Sequence, residues 1–411
     1  MNFVEDLFNF TQVKTYKAAK VAKKKFLLLK TIYEMEKATV NDLMAKMDLS
    51  FPTINSLMID LLEQKYIVQA ERGVSFGGRK PNLYQLNGGL FKILTIELNK
   101  VSAILTVMDN NCNALSESRA YEFSLTTNLD GLSNLIDLVH KHFETDPIPF
   151  EQISGIAISM PGLIDWYTGE NYTYFYETGF QLESFIEKVL KKPARIVNDA
   201  KVASISERYY GHLKGAKDSL IIRLDWGISL GILARGEMAL GKSGFAGEMG
   251  HISLGAEGEL CYCGKRGCLE TIASGLALVN RAKADIADGM PTMIVSKFKN
   301  NELRPEHIVN AALDGDQYAI QLISELGSRV GRAISIFIQI FNPETIVLTG
   351  CFAEAASLMT TPIQQQIQTF SMQKIAHNCT IEISKLGPQG QLFGLVRCFI
   401  DRYFEDRLEM N

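Results

Sequence analysis

The sequence lacks any apolar run that approaches the ~20 residues needed to cross a lipid bilayer. It also lacks the pattern of a secretory signal near its start, where Glu5 and Asp6 stand and no long apolar core follows. Apolar residues make up 46% of the chain and charged residues 21%, which excludes a largely disordered protein. We therefore expect a folded, cytoplasmic protein that has no membrane partner.

A disulfide scaffold is also excluded, because the seven cysteines are odd in number and have no spaced framework. Three cysteines are clustered and four are scattered: Cys261, Cys263 and Cys268, against Cys112, Cys351, Cys379 and Cys398. The cluster needs a separate explanation.

The chain has little net charge, −4 over 411 residues, but that charge is unevenly distributed. Residues 1–88 contain 13 Lys and Arg against 9 Asp and Glu, whereas the remainder contains 29 against 37. A basic head on an acidic body favours a polyanionic partner for the head alone. The length exceeds that of one hydrophobic core, so two or three domains are expected.

Residues 1–88 are predicted to form a winged helix-turn-helix domain. Apolar residues at helical spacing predict three helices, of which the second is capped by Thr39 and the third by Ser50. Two β-like runs follow at 66–70 and 82–86, with a glycine-rich turn between them.

This layout predicts contacts with double-stranded DNA. Small polar residues at the start of the third helix, Thr53, Asn55 and Ser56, suit base edges in the major groove. In the wing, Arg79 and Lys80 suit a minor groove or phosphates. The alternatives are a winged helix that binds protein or only packs, and a merely solvated role for the lysines of residues 14–25.

From residue 89 the pattern changes to alternating strands and helices, which is typical of an α/β fold. We predict strands at 92–97, 103–108, 153–159, 195–197, 219–224, 229–234 and 345–348, and helices at 129–143, 182–190, 201–210, 317–341 and 392–409.

The most specific local pattern combines one imidazole and three thiols: His251, Cys261, Cys263 and Cys268. This Cys₃His set predicts tetrahedral zinc, and its role is structural because no coordination position stays open. Gly264 and Gly267 allow the short segment to turn tightly around the ion. The alternative is a group of buried free thiols.

A second group of polar residues centres on Asn198 and Asp199, at the end of a predicted strand and the start of a helix. Ligands bind at such strand ends in α/β sheets, although Asn-Asp pairs also serve as helix caps. Further polar groups are supplied by Gly162, Glu248, His251 and Glu270. Paired carboxylates and an imidazole among glycines suit a ligand with many hydroxyl groups.

These residues resemble those of the ROK family (repressors, unassigned frames and sugar kinases), especially its repressor branch, typified by the NagC, Mlc and xylose-repressor proteins. The resemblance covers nearly the whole chain. It is carried by Gly78-Arg79-Lys80-Pro81, by Met160-Pro161-Gly162-Leu163-Ile164-Asp165, by the stretch from Gly250-His251 to Cys268-Leu269-Glu270, and by Asn342-Pro343-Glu344-Thr345-Ile346-Val347.

The resemblance implies a two-lobed, actin-like (ribonuclease-H-like) body with ligand in the cleft. We expect a first lobe from residues 89–200 plus 390–411, and a second lobe from 201–389 that contains the zinc knuckle. The resemblance also implies sugar contacts at Gly162, Asn198, Asp199, Glu248, His251 and Glu270, and zinc at His251, Cys261, Cys263 and Cys268. In kinases of the family, the position of Asp199 is the general base.

Two departures argue against an enzyme. Family kinases carry an Asp-x-Gly-Gly-Thr loop where this chain has Glu97-Leu98-Asn99-Lys100-Val101. They carry Gly-Thr-Gly-x-Gly-x-Gly where this chain has Asp225-Trp226-Gly227-Ile228-Ser229-Leu230-Gly231. Phosphate cradles need glycine because backbone N–H groups must approach the oxygens closely.

The sequence therefore predicts a sugar-responsive, DNA-binding transcriptional regulator, a repressor, that acts as a homodimer or homotetramer. Its effector is a monosaccharide or a sugar phosphate. The alternatives are an ATP-dependent sugar kinase with an appended DNA-binding head, and a structural or protein-docking module.

Overall fold

A computed structural model of the chain describes residues 16–72, 81–254, 258–298 and 302–409. The predicted wing residues Arg79 and Lys80 lie outside the described residues. Within the described ranges, no helix combines the length and the apolar character that a membrane span requires.

The described residues of the head form three helices and two paired strands, in the predicted order. They are α1 (Tyr16–Glu34), α2 (Val40–Met47), α3 (Phe51–Glu63), β1 (Ile67–Arg72) and β2 (Asn82–Leu86). The two strands are antiparallel, with Ile67 opposite Leu86. The predicted apolar faces of the three helices supply the buried residues, because helical spacing places those side chains on one side.

Of the two helix caps predicted in the head, the structure forms the side-chain cap at Thr39 but not the one at Ser50. Thr39 begins α2 with a capping box, in which its hydroxyl accepts from the Asp42 N–H at 3.2 Å and the Asp42 carboxylate accepts from the Thr39 N–H at 2.8 Å. Ser50 is the N-cap residue of α3, but the predicted side-chain cap is wrong. Its hydroxyl lies 3.0 Å from the Thr53 hydroxyl instead of bonding a backbone N–H.

The part of the body that the structure describes contains two five-stranded sheets. The first contains β3 (Lys92–Leu98), β4 (Ser102–Asp109), β5 (Arg119–Glu122), β6 (Gly155–Met160) and β7 (Ala194–Asn198). Their order is β5-β4-β3-β6-β7, with antiparallel pairing on the β4 side of β3 and parallel pairing on its β6 side. Helices α4 (Leu132–Phe143) and α5 (Leu182–Leu190) share a hydrophobic core with this sheet.

The chain then passes through α6 (Asp199–Tyr210) into the second sheet. Its strands are β8 (Ser219–Leu224), β9 (Ile228–Ala234), β10 (Glu237–Met238), β11 (Thr345–Thr349) and β12 (Thr380–Ile383). Their order is β10-β9-β8-β11-β12, with the same antiparallel and parallel pairings as in the first sheet. The two sheets therefore have one topology, although the sequence shows no matching repeat.

Six further helices accompany the second sheet: α7 (Gly275–Ala287), α8 (Ile294–Lys297), α9 (Pro305–Leu313), α10 (Gln317–Phe341), α11 (Ala356–Phe370) and α12 (Gln373–Ala376). The longest, α10, packs closely on α11, because Gly327 and Gly331 bring the two backbones together. A side chain at Gly331 would lie 2.8 Å from the Cα of Ile363.

The last helix, α13 (Gln389–Glu409), joins the head to the body. It packs against α6 and against β3, β6 and β7, and it shares one hydrophobic core with the head. Gly394 allows the close approach of α13 to α6, since a side chain there would overlap the Val202 carbonyl. Phe404 contacts the head directly, with its ring 5.2 Å from that of Phe26 and 5.6 Å from that of Tyr33.

The sequence pattern missed the strands β5, β10 and β12 and the helices α7, α8, α9, α11 and α12. The three missed strands are short and lie at sheet edges, so they carry little of the apolar signal that marks central strands. The predicted strands and helices are present, with boundaries that shift by a few residues.

Candidate functional site

Asn198 and Asp199 lie at the junction of the first sheet with α6. The Asn198 side chain caps this helix, since its Oδ1 accepts from the N–H groups of Ala200 and Lys201 at 3.0 and 3.3 Å. Its Nδ2 donates to the Gly162 carbonyl at 2.9 Å. The cap thus fixes the orientation of Asn198, and it places the Asp199 carboxylate at the first turn of α6, beside the Gly162 loop.

Gly162 is at a position that requires glycine. Its φ of +108° lies in the region that side chains disfavour, and a Cβ there would lie 2.7 Å from Asn171 Oδ1. Asn171 in turn donates to the Pro161 carbonyl at 3.1 Å. The loop is therefore held in one shape next to Asn198.

Three carboxylates, Asp199, Glu248 and Glu270, form what we term the carboxylate cluster. Burial raises the pKa of Glu248, the neighbouring Lys201 lowers it, and the Asp199 charge raises it again, with a net upward shift. Burial also raises the pKa of Glu270 to about 7, to which the charges of Asp199 and Glu248 contribute. Glu270 therefore experiences the charges of Asp199 and Glu248, and Glu248 experiences that of Asp199, so the three predicted sugar-binding acids lie near one another.

Glu270 is fixed by the backbone around it. Its Oε2 accepts from the Ile228 N–H at 3.0 Å, and a Cβ at Gly250 would lie 2.7 Å from the same oxygen. The 3₁₀ helices Met249–His251 and Leu269–Thr271 bring Gly250 and Glu270 to this point.

The cysteine knuckle comprises His251, Cys261, Cys263 and Cys268. Their ligand atoms all lie within 4.8 Å of one another. Both Gly264 and Gly267 have positive φ, +85° and +71°, as the predicted tight turn requires.

The spacing of these atoms can be compared with that of a zinc tetrahedron. Zinc–sulfur and zinc–nitrogen bond lengths give about 3.8 Å between two thiolates and about 3.6 Å between a thiolate and an imidazole nitrogen. Here the sulfurs of Cys263 and Cys268 are 3.6 Å apart, and Cys261 Sγ is 3.6 Å from His251 Nδ1. The residues therefore fit zinc in both chemistry and spacing.

The sequence reasoning missed two tyrosines, one beside the cysteine knuckle and one near the carboxylate cluster. The Tyr262 hydroxyl lies 3.0 Å from His251 Nε2, on the ring nitrogen that faces away from Cys261. Burial raises the pKa of Tyr262, as does the charge of Glu270. Burial likewise raises the pKa of Tyr174, with contributions from Asp199 and Glu270. In the sequence, Tyr262 stands between the predicted zinc ligands Cys261 and Cys263, and this position could have indicated that it lies at the site.

An arginine that the sequence reasoning also missed lies beside Asp199. Arg223 on β8 places its Nε 3.3 Å from Asp199 Oδ2 and its Nη2 2.9 Å from Asp225 Oδ2. Burial raises the pKa of Glu97, at the end of β3, to about 7, while Arg223 lowers it and Asp225 raises it. We term Arg223, Asp199, Asp225 and Glu97 the arginine network.

The predicted DNA-contacting residues of α3 occupy one end of that helix. Ser56 is exposed, whereas Thr53 and Asn55 are half-buried. The Thr53 hydroxyl is shared with Ser50, as described above. The buried face of α3 is formed by Ile54, Leu57, Met58 and Leu61, so the polar residues face away from the core of the head.

Comparison with known proteins shows that this chain is similar both to repressors and to a glucokinase. The model of the ROK family matches residues 94–401. The xylose repressor of Caldicellulosiruptor bescii is 27% identical over 382 residues, which cover 92% of this chain and 95% of that protein. A glucokinase of Halalkalibacterium halodurans is 30% identical over 267 residues, which cover 64% of this chain and 81% of that enzyme.

Among solved structures, a ROK-family transcriptional regulator that is a homologue of Escherichia coli Mlc superposes with a TM-score of 0.72 at 25% identity. The match covers 94% of this chain and 98% of that regulator. This similarity confirms the predicted fold class, a winged helix-turn-helix head followed by a two-lobed, actin-like body. Because the family model spans most of the sequence, the chain belongs to the ROK family.

Proposed function

We propose that this protein is a sugar-responsive, DNA-binding transcriptional repressor whose ROK body binds a monosaccharide or a sugar phosphate as effector. The xylose repressor and the Mlc homologue, each matched over more than nine-tenths of this chain, support this function. The glucokinase matches a smaller part of the chain.

The observation that carries the proposal is the position of α6 between the head and the cleft. This helix begins at Asp199 in the carboxylate cluster and ends at Tyr209 and Tyr210. The guanidinium of Arg397 on α13 lies 3.8 Å from the ring centroid of Tyr209 and 4.2 Å from that of Tyr33 in the head. A ligand that shifts α6 therefore acts on a helix only one side chain away from the DNA-binding head.

The sugar contacts are assigned to the six residues predicted from the sequence: Gly162, Asn198, Asp199, Glu248, His251 and Glu270. Carboxylates with lone pairs free accept hydrogen bonds from sugar hydroxyls, and a hydroxyl left without a partner would weaken binding. His251 is assigned to both sites: its Nδ1 faces Cys261, and its Nε2, which now pairs with the Tyr262 hydroxyl, is the ring nitrogen left for a sugar.

The cysteine knuckle is assigned to structural zinc, held by His251, Cys261, Cys263 and Cys268. Bound zinc would supply folding free energy and fix the segment that precedes Glu270. Within this chain, Lys265 already supports that segment, since its Nζ donates to the His251 carbonyl at 2.7 Å.

DNA contacts are assigned to Thr53, Asn55 and Ser56 in the major groove and to Arg79 and Lys80 in the wing. A homodimer or homotetramer would present two heads to two half-sites about 34 Å apart. We propose the domain division 1–88, 89–200 plus 390–411, and 201–389. The first and last segments of the body meet where α13 packs on β3, β6 and β7.

A non-enzymatic role is proposed because of the arginine network. Asp199, the base position of family kinases, is paired with Arg223, and Asp225 adds a negative charge where a phosphate cradle needs glycine. The alternative, a sugar kinase, predicts sugar-dependent ADP release from millimolar ATP that is lost in Asp199→Asn.

The test is selection of bound genomic fragments by the purified full-length protein, followed by fluorescence anisotropy with and without a panel of sugars. A palindromic site released by one sugar supports the proposal and identifies the effector. The absence of any specific site at low as well as moderate salt contradicts it. Asn55→Ala is expected to weaken specific binding by about 1–3 kcal/mol, whereas Asn134→Ala, exposed on α4, is the matched control.

A further inference from the structure

The arginine network joins the two sheets of the body across the cleft. Arg223 belongs to β8 of the second sheet, whereas Asp199 directly follows β7 of the first. One guanidinium bonds both Asp199 and Asp225, and Glu97 approaches from the end of β3. The side chain is mostly shielded, with 16% of its surface exposed, so these pairs are only weakly screened by water.

Further acidic groups lie behind Asp225. The ligand atoms of Asp225, Glu306 and Cys351 lie within 4.8 Å of one another. Burial raises the pKa of Glu306, and the Asp225 charge raises it further. This end of the cleft therefore contains several acidic side chains close together, and burial and mutual repulsion disfavour their ionisation.

Of the cations near these acids, Arg304 lies beside Glu306, whereas Arg223 and Lys201 are already engaged. Arg223 is shared between Asp199 and Asp225, as described above. Lys201 is buried, donates to the Ala246 carbonyl, and lies near enough to Glu248 for that charge to raise its pKa against the effect of burial. In the described part of the chain, these two cations face four carboxylates: Glu97, Asp199, Asp225 and Glu248. Glu270 adds a fifth carboxylate beside Asp199 and Glu248.

We propose that Arg223 determines the specificity of the pocket: it positions the Asp199 carboxylate for a sugar hydroxyl, and the acidic surroundings reject a phosphate, so the effector is an uncharged sugar. This inference rests on the proposed function, because it concerns the same pocket, and it selects one of the two effector classes named there.

The positioning follows from the bonds that Asp199 already makes. Its Oδ1 accepts from the Ala200 N–H at 2.9 Å, and its Oδ2 faces Arg223. Both oxygens are held, yet each keeps a lone pair for a hydroxyl donor. Burial raises the pKa of Asp199 and Arg223 lowers it, so loss of the guanidinium removes the orientation of the acceptor and disfavours its charged form.

The rejection follows from charge. A phosphate monoester carries about −1.5 to −2 charges near neutral pH. In this pocket it would meet several carboxylates and would have to take Arg223 from Asp199 and Asp225 to gain a cation. Like charges brought together in a desolvated site disfavour binding strongly, whereas a hydroxyl meets no such opposition.

The experiment is isothermal titration calorimetry of the full-length protein with glucose, N-acetylglucosamine and xylose, and with glucose 6-phosphate and N-acetylglucosamine 6-phosphate. At least one uncharged sugar is expected to bind, and each phosphate to bind at least about tenfold more weakly than its parent sugar. A phosphate that binds more tightly than its parent overturns this inference but leaves the proposed function standing. Failure of every sugar and every phosphate to bind overturns the proposed effector pocket as well.

Variants separate positioning from simple stability. Arg223→Gln is expected to weaken binding of the uncharged sugar about tenfold, with partial rescue in Arg223→Lys, which keeps the charge but not the fork of donors. Arg281→Gln is the matched control, because Arg281 also bridges two acids, Asp285 and Glu325, but on the surface of α7. Unchanged sugar affinity in Arg223→Gln contradicts the positioning role.

Asp225→Asn tests the charge argument by an expected gain of phosphate affinity rather than a loss. Removing this carboxylate is expected to raise the affinity for the phosphates at least threefold relative to the parent sugars, an effect that a misfolded variant cannot produce. The same ratio in the variant and the parent protein overturns the charge-based rejection.

Discussion

The two sides of the cleft both contain carboxylates, but the carboxylates have different partners on the two sides. On one side, the cysteine knuckle and the carboxylate cluster lie close together, and their acids keep lone pairs available for a ligand. On the other side, the arginine network turns its acids toward an internal cation, so Asp225 and one oxygen of Asp199 are already occupied. A carboxylate held by an internal cation, such as Asp199, can therefore serve a ligand only through the lone pairs that the cation leaves free.

The same contrast appears in the backbone. Around Glu270, glycines at 227 and 250 leave room for the carboxylate, and a Cβ at either position would lie within 3.0 Å of its oxygens. In the arginine network, Asp225 and the adjoining Trp226 stand where the family's kinases have small residues. Glycines thus leave space around Glu270 on the proposed sugar side, whereas the larger side chains of Asp225 and Trp226 fill the space near Arg223.

The largest expected effect comes from breaking the zinc side. Cys261→Ser is expected to abolish zinc binding, to lower the melting temperature and to weaken sugar binding at least tenfold. The reason is that zinc binding is worth of the order of 10 kcal/mol in small zinc modules, part of which is stored here as folding free energy. Metal analysis, thermal unfolding and calorimetry measure the three effects.

Cys379→Ser is the matched control for this variant, because Cys379 is a half-buried cysteine outside the knuckle, in the segment before β12. Treating the parent protein with a strong chelator should reproduce the effects of Cys261→Ser. Retention of full sugar affinity in a metal-free protein would show that the knuckle and the carboxylate cluster are independent.

The next largest effect is expected at Asp199, where the two sides meet. Asp199→Asn keeps the size of the side chain but removes the charge that both Arg223 and a hydroxyl donor use. Hydrogen bonds to charged groups contribute about 1.5–3 kcal/mol, so the Kd for sugar should rise on the order of tenfold to a hundredfold. DNA affinity without sugar should stay the same. Calorimetry measures the sugar affinity, and anisotropy measures the DNA affinity with and without sugar. The exposed Asp137→Asn is the control. If DNA binding by Asp199→Asn responds to sugar as in the parent protein, the pocket assignment is refuted.

Much of this arrangement follows from local signals in the sequence. The thiols and the imidazole are near one another in the chain, and Asn198-Asp199 ends a recognisable strand, so their grouping needs little knowledge of the fold. The three head helices are equally local, since each carries its own apolar face.

What escaped the sequence depends on pairing between distant segments. Arg223 reads as one residue of an apolar strand, and its partner Asp199 becomes visible only when β8 and β7 are brought to the same cleft. The common topology of the two sheets is hidden because strand pairing repeats while side chains do not. The contact of α13 with the head joins residues near opposite ends of the chain, which no periodicity reveals.

The smallest effect is expected where the cleft communicates with the head. Arg397 is buried, bonds Asp401 at 3.0 Å and stacks between Tyr33 and Tyr209. Arg397→Met keeps much of the length of the side chain but removes the charge and both ring contacts. Arg397 is not among the assigned sugar contacts, so sugar should still bind. Because α6 connects Tyr209 to Asp199, the effect of sugar on DNA affinity should shrink by about 0.5–2 kcal/mol.

Fluorescence anisotropy of an operator fragment, titrated with and without the sugar, measures this coupling, and calorimetry measures sugar affinity separately. Arg119→Met is the control, because Arg119 bonds Thr145 at the edge of the first sheet, away from the head. Equal coupling in Arg397→Met and the parent protein would mean that the signal leaves the cleft by another route. Loss of sugar binding itself would mean that the variant disturbs the pocket. A reduced DNA response with intact sugar binding is the outcome that assigns the link to the stack of Tyr33, Arg397 and Tyr209.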